Sequence, residues 1–278
     1  MAGFPQIETT TVLPVTLPWS ETFADHCFEG RPVLPAVAAM EILSGALEDP
    51  SGSIEVNTIT NARFEKFLFL NGSQNERPVQ IERTRKPNGD IEAILSTRHQ
   101  GPSGGVRRTL VHAVVTFPWV QPVMASPPHV PDEAFLNGCE SISAKQIYSE
   151  LVPFGPAFQN LLGPLRLRDV GAAAFIQCPN LRLTLDSRLP GSPFVLDAAF
   201  HAACVWGQRY GGMVTFPVGF KYRKIFLPTQ AGERYLAHVI PTQKEKGLCR
   251  FDLWIWDSKN RLVEGVTGLL MREVGQGR

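Results

Sequence analysis

The chain has 278 residues, 44% of them hydrophobic and 19% charged, which is enough apolar content to bury a sizeable core and too much for a disordered chain. Its 27 basic and 26 acidic side chains nearly cancel, so a formal net charge of +1 gives no broad field that would draw nucleic acid or an anionic membrane surface. The five cysteines, at positions 27, 139, 178, 204 and 249, are odd in number and form no Cys-x-x-Cys pair, which argues against a disulfide framework or a zinc knuckle and fits reduced thiols in cytoplasm.

Residues 1–8, Met-Ala-Gly-Phe-Pro-Gln-Ile-Glu, hold no basic region followed by an apolar one. No later run approaches the eighteen or so apolar residues of a membrane span, so a soluble cytoplasmic protein is expected. The first stretch with chemical content is Asp25-His26-Cys27-Phe28-Glu29-Gly30-Arg31-Pro32-Val33-Leu34-Pro35. It sets a histidine four residues before a glycine and nine before a proline, just ahead of an apolar helix. Gly30 allows close backbone approach to a ligand, and Pro35 fixes the entry to the helix. His26 is the side-chain type whose unperturbed pKa lies near neutrality, and the whole reads as a proton-transfer site.

The helix is expected from Pro35 to about Glu48, with Val37, Met40, Ile42, Leu43, Ala46 and Leu47 making it apolar on nearly all sides and therefore buried. Strands follow at about 54–70, 78–86, 90–99 and 107–117, and the Asn88-Gly89 pair closes a hairpin between the middle two. Four prolines within Val120–Pro131 then mark an extended linker, which gives an N-terminal domain over 1–120, a linker over 121–135 and a C-terminal domain over 136–278.

Beyond the linker come Tyr148 and the run Phe154-Gly155-Pro156-Ala157-Phe158-Gln159, then an apolar helix at about 194–210. On that helix Asp197 and His201 stand at i and i+4, so both can face one cleft. Strands follow at about 214–227, 233–243, 248–257 and 261–272, the last two joined through Ser258-Lys259-Asn260. Each half therefore reads as one apolar helix followed by four strands. Residues 63–70 faintly parallel 219–227, as expected of an internal duplication. The pattern alone supports an α+β protein with two similar halves.

The patterns HxxxGxxxxP at His26 and DxxxH at Asp197 resemble the dehydratase domains of polyketide synthases and related multienzyme fatty acid synthases. Tyr148 with Gly155-Pro156-Ala157-Phe158, Phe216-Pro217-Val218-Gly219-Phe220 and the closing hairpin at Asp257–Val263 extend the likeness over roughly residues 15–272. The resemblance implies a double hot dog, two fused units each with a curved antiparallel sheet around a central helix. It also implies elimination of water from a 3-hydroxyacyl thioester on an acyl carrier protein, giving a 2-enoyl thioester in polyketide or polyunsaturated fatty acid synthesis. Two positions depart from the family: Leu151 stands where a glycine is usual, which implies a remodelled loop, and Ala36 replaces another glycine.

Such an elimination needs a base at Cα, an acid for the leaving hydroxyl and donors for the enolate-like oxygen. By resemblance His26 is the base and Asp197 the acid, His201 orients Asp197, and Gly155 and Pro156 shape the acyl channel with a backbone N–H near the thioester carbonyl. For Asp197 to act as an acid near neutral pH its carboxyl must be desolvated, as burial on an apolar helix would achieve. The plainer readings are a surface-loop His26, a helix-terminal Asp197, a core His201, an ordinary turn at Gly155-Pro156 and a packed aromatic at Tyr148, whose other reading is a hydrogen bond near His26.

Glu41 matches the carboxylate of single hot dog dehydratases, but no histidine precedes the second helix, so one active centre per chain is expected with Glu41 outside it. His99, His112, His129 and His238 show no ligand spacing, and neither a metal nor a bound cofactor is expected. Expected partners are a carrier protein and its acyl group, with a homodimer also open. Arg31, Arg209, Lys221, Arg223 and Lys224 are the basic side chains offered to the carrier's phosphate or acidic surface. A product-template-like cyclase and a degenerate non-catalytic hot dog scaffold are the alternatives.

Overall fold

Two helices in this chain lack a polar face, and such a helix must be buried against other elements. The computed structural model describes residues 8–47, 55–72, 76–100, 107–184 and 186–273, which fall into two compact units.

The first unit comprises Met1–Val123 and Leu183–Leu189. Its elements are β1 (Thr9–Pro18), α1 (Glu21–Ala24), β2 (Cys27–Phe28), β3 (Arg31–Pro32), α2 (Ala36–Gly45), β4 (Thr58–Phe64), β5 (Glu76–Arg85), β6 (Ile91–Gln100) and β7 (Arg107–Phe117). Five strands form an antiparallel sheet in the order β1-β5-β6-β7-β4, and α2 packs on β6 and β7. Met40 and Leu43 of α2 are fully buried, as are Ala93 and Leu95 of β6 and Val115 and Phe117 of β7. Each large apolar side chain so buried contributes roughly 2 kcal/mol. The β5–β6 hairpin turns as expected at Asn88-Gly89: Gly89 N–H donates to Lys86 O at 2.9 Å and Gly89 takes the left-handed φ of 89° that completes the turn.

The second unit comprises Met124–Arg182 and Pro190–Arg278. It contains α3 (Glu133–Leu136), β8 (Glu140–Ser143), α4 (Ala144–Gln146), a π-turn at Ile147–Leu151, a 3₁₀ turn at Pro156–Phe158, β9 (Leu161–Arg168) and β10 (Gly171–Gln177). Then follow α5 (Pro193–Trp206), a second π-turn at Gly207–Gly211, β11 (Thr215–Ile225), β12 (Arg234–Glu245), β13 (Leu248–Asp257) and β14 (Leu262–Glu273). The antiparallel order is β11-β14-β13-β12-β10-β9-β8, and every residue of α5 is buried. In both units the strand after the helix pairs with the last strand, and the third and second follow: β4-β7-β6-β5 and β11-β14-β13-β12. The duplication expected from sequence is thus a repeated topology.

Several expected bounds shift. The strand expected over 54–70 is confined to β4, with residue 54 outside the described residues. Past it the chain turns away, and Leu68 O and Leu70 N bond Leu34 N and Pro32 O at 2.9 Å each. Helix α2 ends at Gly45, with Glu48 outside the described residues, and α5 passes into a π-turn after Trp206. Arg223 is not a surface cation: it is 2% exposed, and its Nε donates to the fully buried Glu264 Oε1 at 2.7 Å. Arg209 bonds Glu140 Oε2 at 2.8 Å, while Arg31 and Lys221 are exposed.

Two of the histidines set aside in sequence have structural roles. His112 Nδ1–H donates to Lys66 O at 3.0 Å, and Thr97 Oγ1 lies 2.8 Å from its Nε2. His238, on β12, is 8% exposed, packs against the rings of Phe135 at 5.0 Å and Trp256 at 6.4 Å, and has no hydrogen bond to either ring nitrogen among the described residues. Burial pushes its pKa down to about 4. The folded state therefore holds His238 neutral where the unfolded chain, titrating near pH 6.5, takes up a proton. Stability from this group is full above about pH 6.5 and is lost as pH falls toward 4, by about 3 kcal/mol in all. Urea unfolding midpoints from pH 7 to 4 should fall less steeply in His238→Phe than in wild type, and equal slopes would assign the acid sensitivity elsewhere.

Candidate active site

The first cluster is built by a two-residue hairpin. Strands β2 and β3 pair through Phe28 and Arg31, so Glu29 and Gly30 form the whole turn, with φ of 49° and 73°. Positive φ at both centres is the type I′ geometry, which glycine adopts without strain. A Cβ at Gly30 would meet nothing within 4 Å, so it is the backbone conformation, rather than close packing, that calls for glycine here.

The hairpin reverses the chain so that Val33 returns to His26. Val33 N–H donates to His26 O at 2.9 Å, and the imidazole Nδ1 lies 3.1 Å from Val33 O. A carbonyl only accepts, so Nδ1 carries a proton, and in the neutral form of the ring the lone pair is then on Nε2. Pro35 ends the loop as N-cap of α2, and its carbonyl accepts from Ala39 N–H at 3.1 Å. His26, Gly30 and Pro35 are one local device: turn, carbonyl and helix start.

The second cluster lies on α5. Asp197 is 5% exposed and His201 is 2% exposed, with His201 Nε2 2.8 Å from Asp197 Oδ2. The contact is close but off the line of an ideal N–H donor. On the other edge of the ring, Nδ1 lies 3.4 Å from Tyr148 Oη, which itself accepts from Leu161 N–H at 3.1 Å. Burial first, and the charge of Asp197 after it, push the Tyr148 phenol well above its usual pKa, so it stays protonated and is a donor toward His201 Nδ1. That assigns the His201 proton to Nε2, facing the carboxylate. Tyr148 thus joins His201 to the Leu161 amide within the second unit.

The loop that departs from the family pattern at Leu151 has a defined conformation. Val152 N–H donates to Ile147 O at 2.8 Å, closing a π-turn, and the chain then reaches Gly155, N-cap of the 3₁₀ turn Pro156–Phe158. This brings the Phe154 ring to 5.1 Å from that of His201, and the Phe158 ring to 5.3 Å from that of Phe194. One wall of the second cluster is therefore aromatic. Cys204 is no rival nucleophile: burial and the Asp197 charge push its thiol up to about 12, and it donates to Thr215 O at 3.1 Å. Among the described residues no group of three or more His, Cys, Asp and Glu is arranged to hold a metal, and no helix is long and apolar enough to cross a membrane.

Sequence reasoning missed Val33 and Leu161, because both act through backbone atoms and carry no side-chain signal. His201→Ala should lower kcat about 10–100-fold, as removal of an orienting partner does. Tyr148→Phe should cost less activity and about 1–2 kcal/mol of stability, since it orphans the buried Leu161 N–H. A Tyr148→Phe enzyme as inactive as Asp197→Asn would instead place the phenol on the substrate.

A family model described as the polyketide synthase dehydratase N-terminal domain matches residues 138–278, a span that includes Tyr148, Gly155, Pro156, Asp197 and His201. The chain belongs to the polyketide synthase dehydratase family. This dehydratase is similar over nearly its whole length to the dehydratase domain from the CurF module of curacin polyketide synthase, at 16% identity with 99% of this chain and 96% of that chain covered and a TM-score of 0.73. A dehydratase domain of a mycocerosic acid synthase-like polyketide synthase matches at 15% identity, 97% and 96% coverage and a TM-score of 0.72. A trans-AT polyketide synthase dehydratase domain from Brevibacillus brevis matches at 18% identity, 95% and 94% coverage and a TM-score of 0.71. These relatives share the double hot dog fold, and with the repeated topology they fix the fold of this chain. No match was found among curated proteins.

Proposed function

We propose that this dehydratase eliminates water from 3-hydroxyacyl thioesters presented on an acyl carrier protein in polyketide or polyunsaturated fatty acid assembly. The observation that carries the proposal is the Nδ1–H bond from His26 to Val33 O, which dedicates Nε2 to accepting a proton. In the proposed step His26 Nε2 removes a Cα proton, the C–O bond breaks, and Asp197 protonates the departing hydroxyl as water. The Asp197 carboxylate left behind faces His201 Nε2–H. A proton then returns from His26 to Asp197 through solvent, and the products are a 2-enoyl thioester and water. The reaction requires no further cofactor.

The Gly155 amide is the proposed donor to the thioester carbonyl, with Phe154 and Phe158 lining the acyl side. Arg31 and Lys221 are the exposed cations offered to the carrier's phosphate. Incubation of the purified protein with 3-hydroxyacyl carrier thioesters of several chain lengths, followed by intact mass, tests the whole reading. Loss of one water from at least one substrate is expected, and no loss from any would overturn it.

A further inference from the structure

Glu41 is a buried carboxylate that the proposed reaction does not use. It is 6% exposed on α2, and its Oε2 accepts from Thr184 Oγ1 at 3.1 Å. Three residues on, the fully buried Ser44 donates to Glu41 O at 2.8 Å and accepts from Arg188 N–H at 3.1 Å. The next residue, Gly45, leaves no room: a Cβ there would lie 2.3 Å from Asp186 O. Arg188 Nη1 donates to Leu47 O at 3.1 Å, one residue past the C-cap of α2. Residues at i, i+3 and i+4 share a helix face, so Glu41, Ser44 and Gly45 form one seat.

The segment held on this seat belongs to the first unit, although the chain on both sides of it belongs to the second. Its sequence position matters, because Pro190 follows directly, Ser192 is the N-cap of α5, and α5 carries Asp197. From these contacts, and resting on the function proposed above, we infer that Glu41 is a positioning residue. It acts with Ser44 and Gly45 as a latch that holds Thr184, Asp186 and Arg188 on α2 and thereby fixes the chain a few residues ahead of the catalytic helix. The latch needs an oxygen acceptor at position 41, not a titrating group. A carboxylate there makes a stronger bond to a hydroxyl than an amide does, but an amide keeps the bond.

The inference separates three variants. Glu41→Gln keeps an acceptor for Thr184 and should retain kcat within about threefold of wild type, with both limbs of the pH–rate profile in place. Glu41→Leu removes the acceptor and should lower kcat about tenfold or more with a smaller change in KM, as misplacement of a reacting group does. Thr184→Val, which removes the hydroxyl that donates to Glu41, should lower kcat in the same direction. Hydrogen exchange supplies a readout independent of turnover: the Arg188 amide, bonded to Ser44 Oγ, should exchange faster in Ser44→Ala and in Glu41→Leu than in wild type.

Unchanged exchange at Arg188 in both variants would overturn the latch whether or not the protein proves to be a dehydratase. Faster exchange with wild-type kcat in Glu41→Leu would overturn the positioning role. A Glu41→Gln enzyme as inactive as Asp197→Asn, with one pH limb lost, would make Glu41 the acid. A wild-type protein that dehydrates nothing would fail the proposed function while the exchange result still decides the latch.

Discussion

Replacing His26 by alanine is expected to abolish measurable turnover, a loss of about 10²–10⁴-fold in kcat, while unfolding stays near wild type. The ring is only partly buried, and loss of its bond to Val33 O forfeits about 1 kcal/mol of hydrogen bonding. The backbone contacts that shape the site survive it. His26 N–H still bonds Phe23 O at 3.1 Å, Val33 N–H still bonds His26 O, and the Glu29-Gly30 turn is untouched. Activity and stability should therefore separate. Turnover of 3-hydroxyacyl carrier thioesters and a thermal melt, measured on one preparation, check both halves of the expectation; wild-type-like turnover would remove His26 as the base, and a large drop in Tm would make it a structural residue.

What the sequence made legible follows from where the information sits. The two central helices are visible because burial on every side leaves an unbroken apolar signature, and the Asn88-Gly89 and Asn260 turns are visible because left-handed backbone selects those residues. Strand β1 escaped notice because Pro14 and Pro18 interrupt it. It is the edge strand of its unit's sheet, where a missing N–H is tolerated. Strands β9 and β10 escaped because Gly163, Pro164 and Ala172–Ala174 have low strand propensity, and burial in the second sheet overrides it.

The site was legible in its side chains and not in its backbone. His26, Asp197 and His201 are spaced as motifs, whereas the atoms that orient them, Val33 O and Leu161 N, belong to residues that any apolar side chain could occupy. Arg223 failed for the opposite reason. Its charge reads as surface until the strand pairing sets Glu264 beside it, and no local pattern in either segment records that partnership.

Asp197→Asn is expected to be as inactive as His26→Ala and to lose the reverse reaction, water addition to a 2-enoyl thioester, in the same proportion. One proton donor serves both directions, because the acid that protonates the leaving hydroxyl is the conjugate of the base that activates water on return. Asparagine keeps the size of the side chain and an oxygen that can face His201 Nε2, so a fall of about 10²–10⁴-fold would report the missing proton and not a collapsed helix. The variant carries a second signature. The Asp197 charge helps hold the Cys204 thiol up at about 12, so removing it should lower the Cys204 pKa, though burial, the larger cause, keeps it above the ordinary thiol value. Dehydration and hydration rates of Asp197→Asn against wild type, with matched substrate and product thioesters, decide the role: a variant that keeps near-wild-type rates would remove Asp197 as the proton donor and assign the carboxylate to electrostatic support of His201 instead.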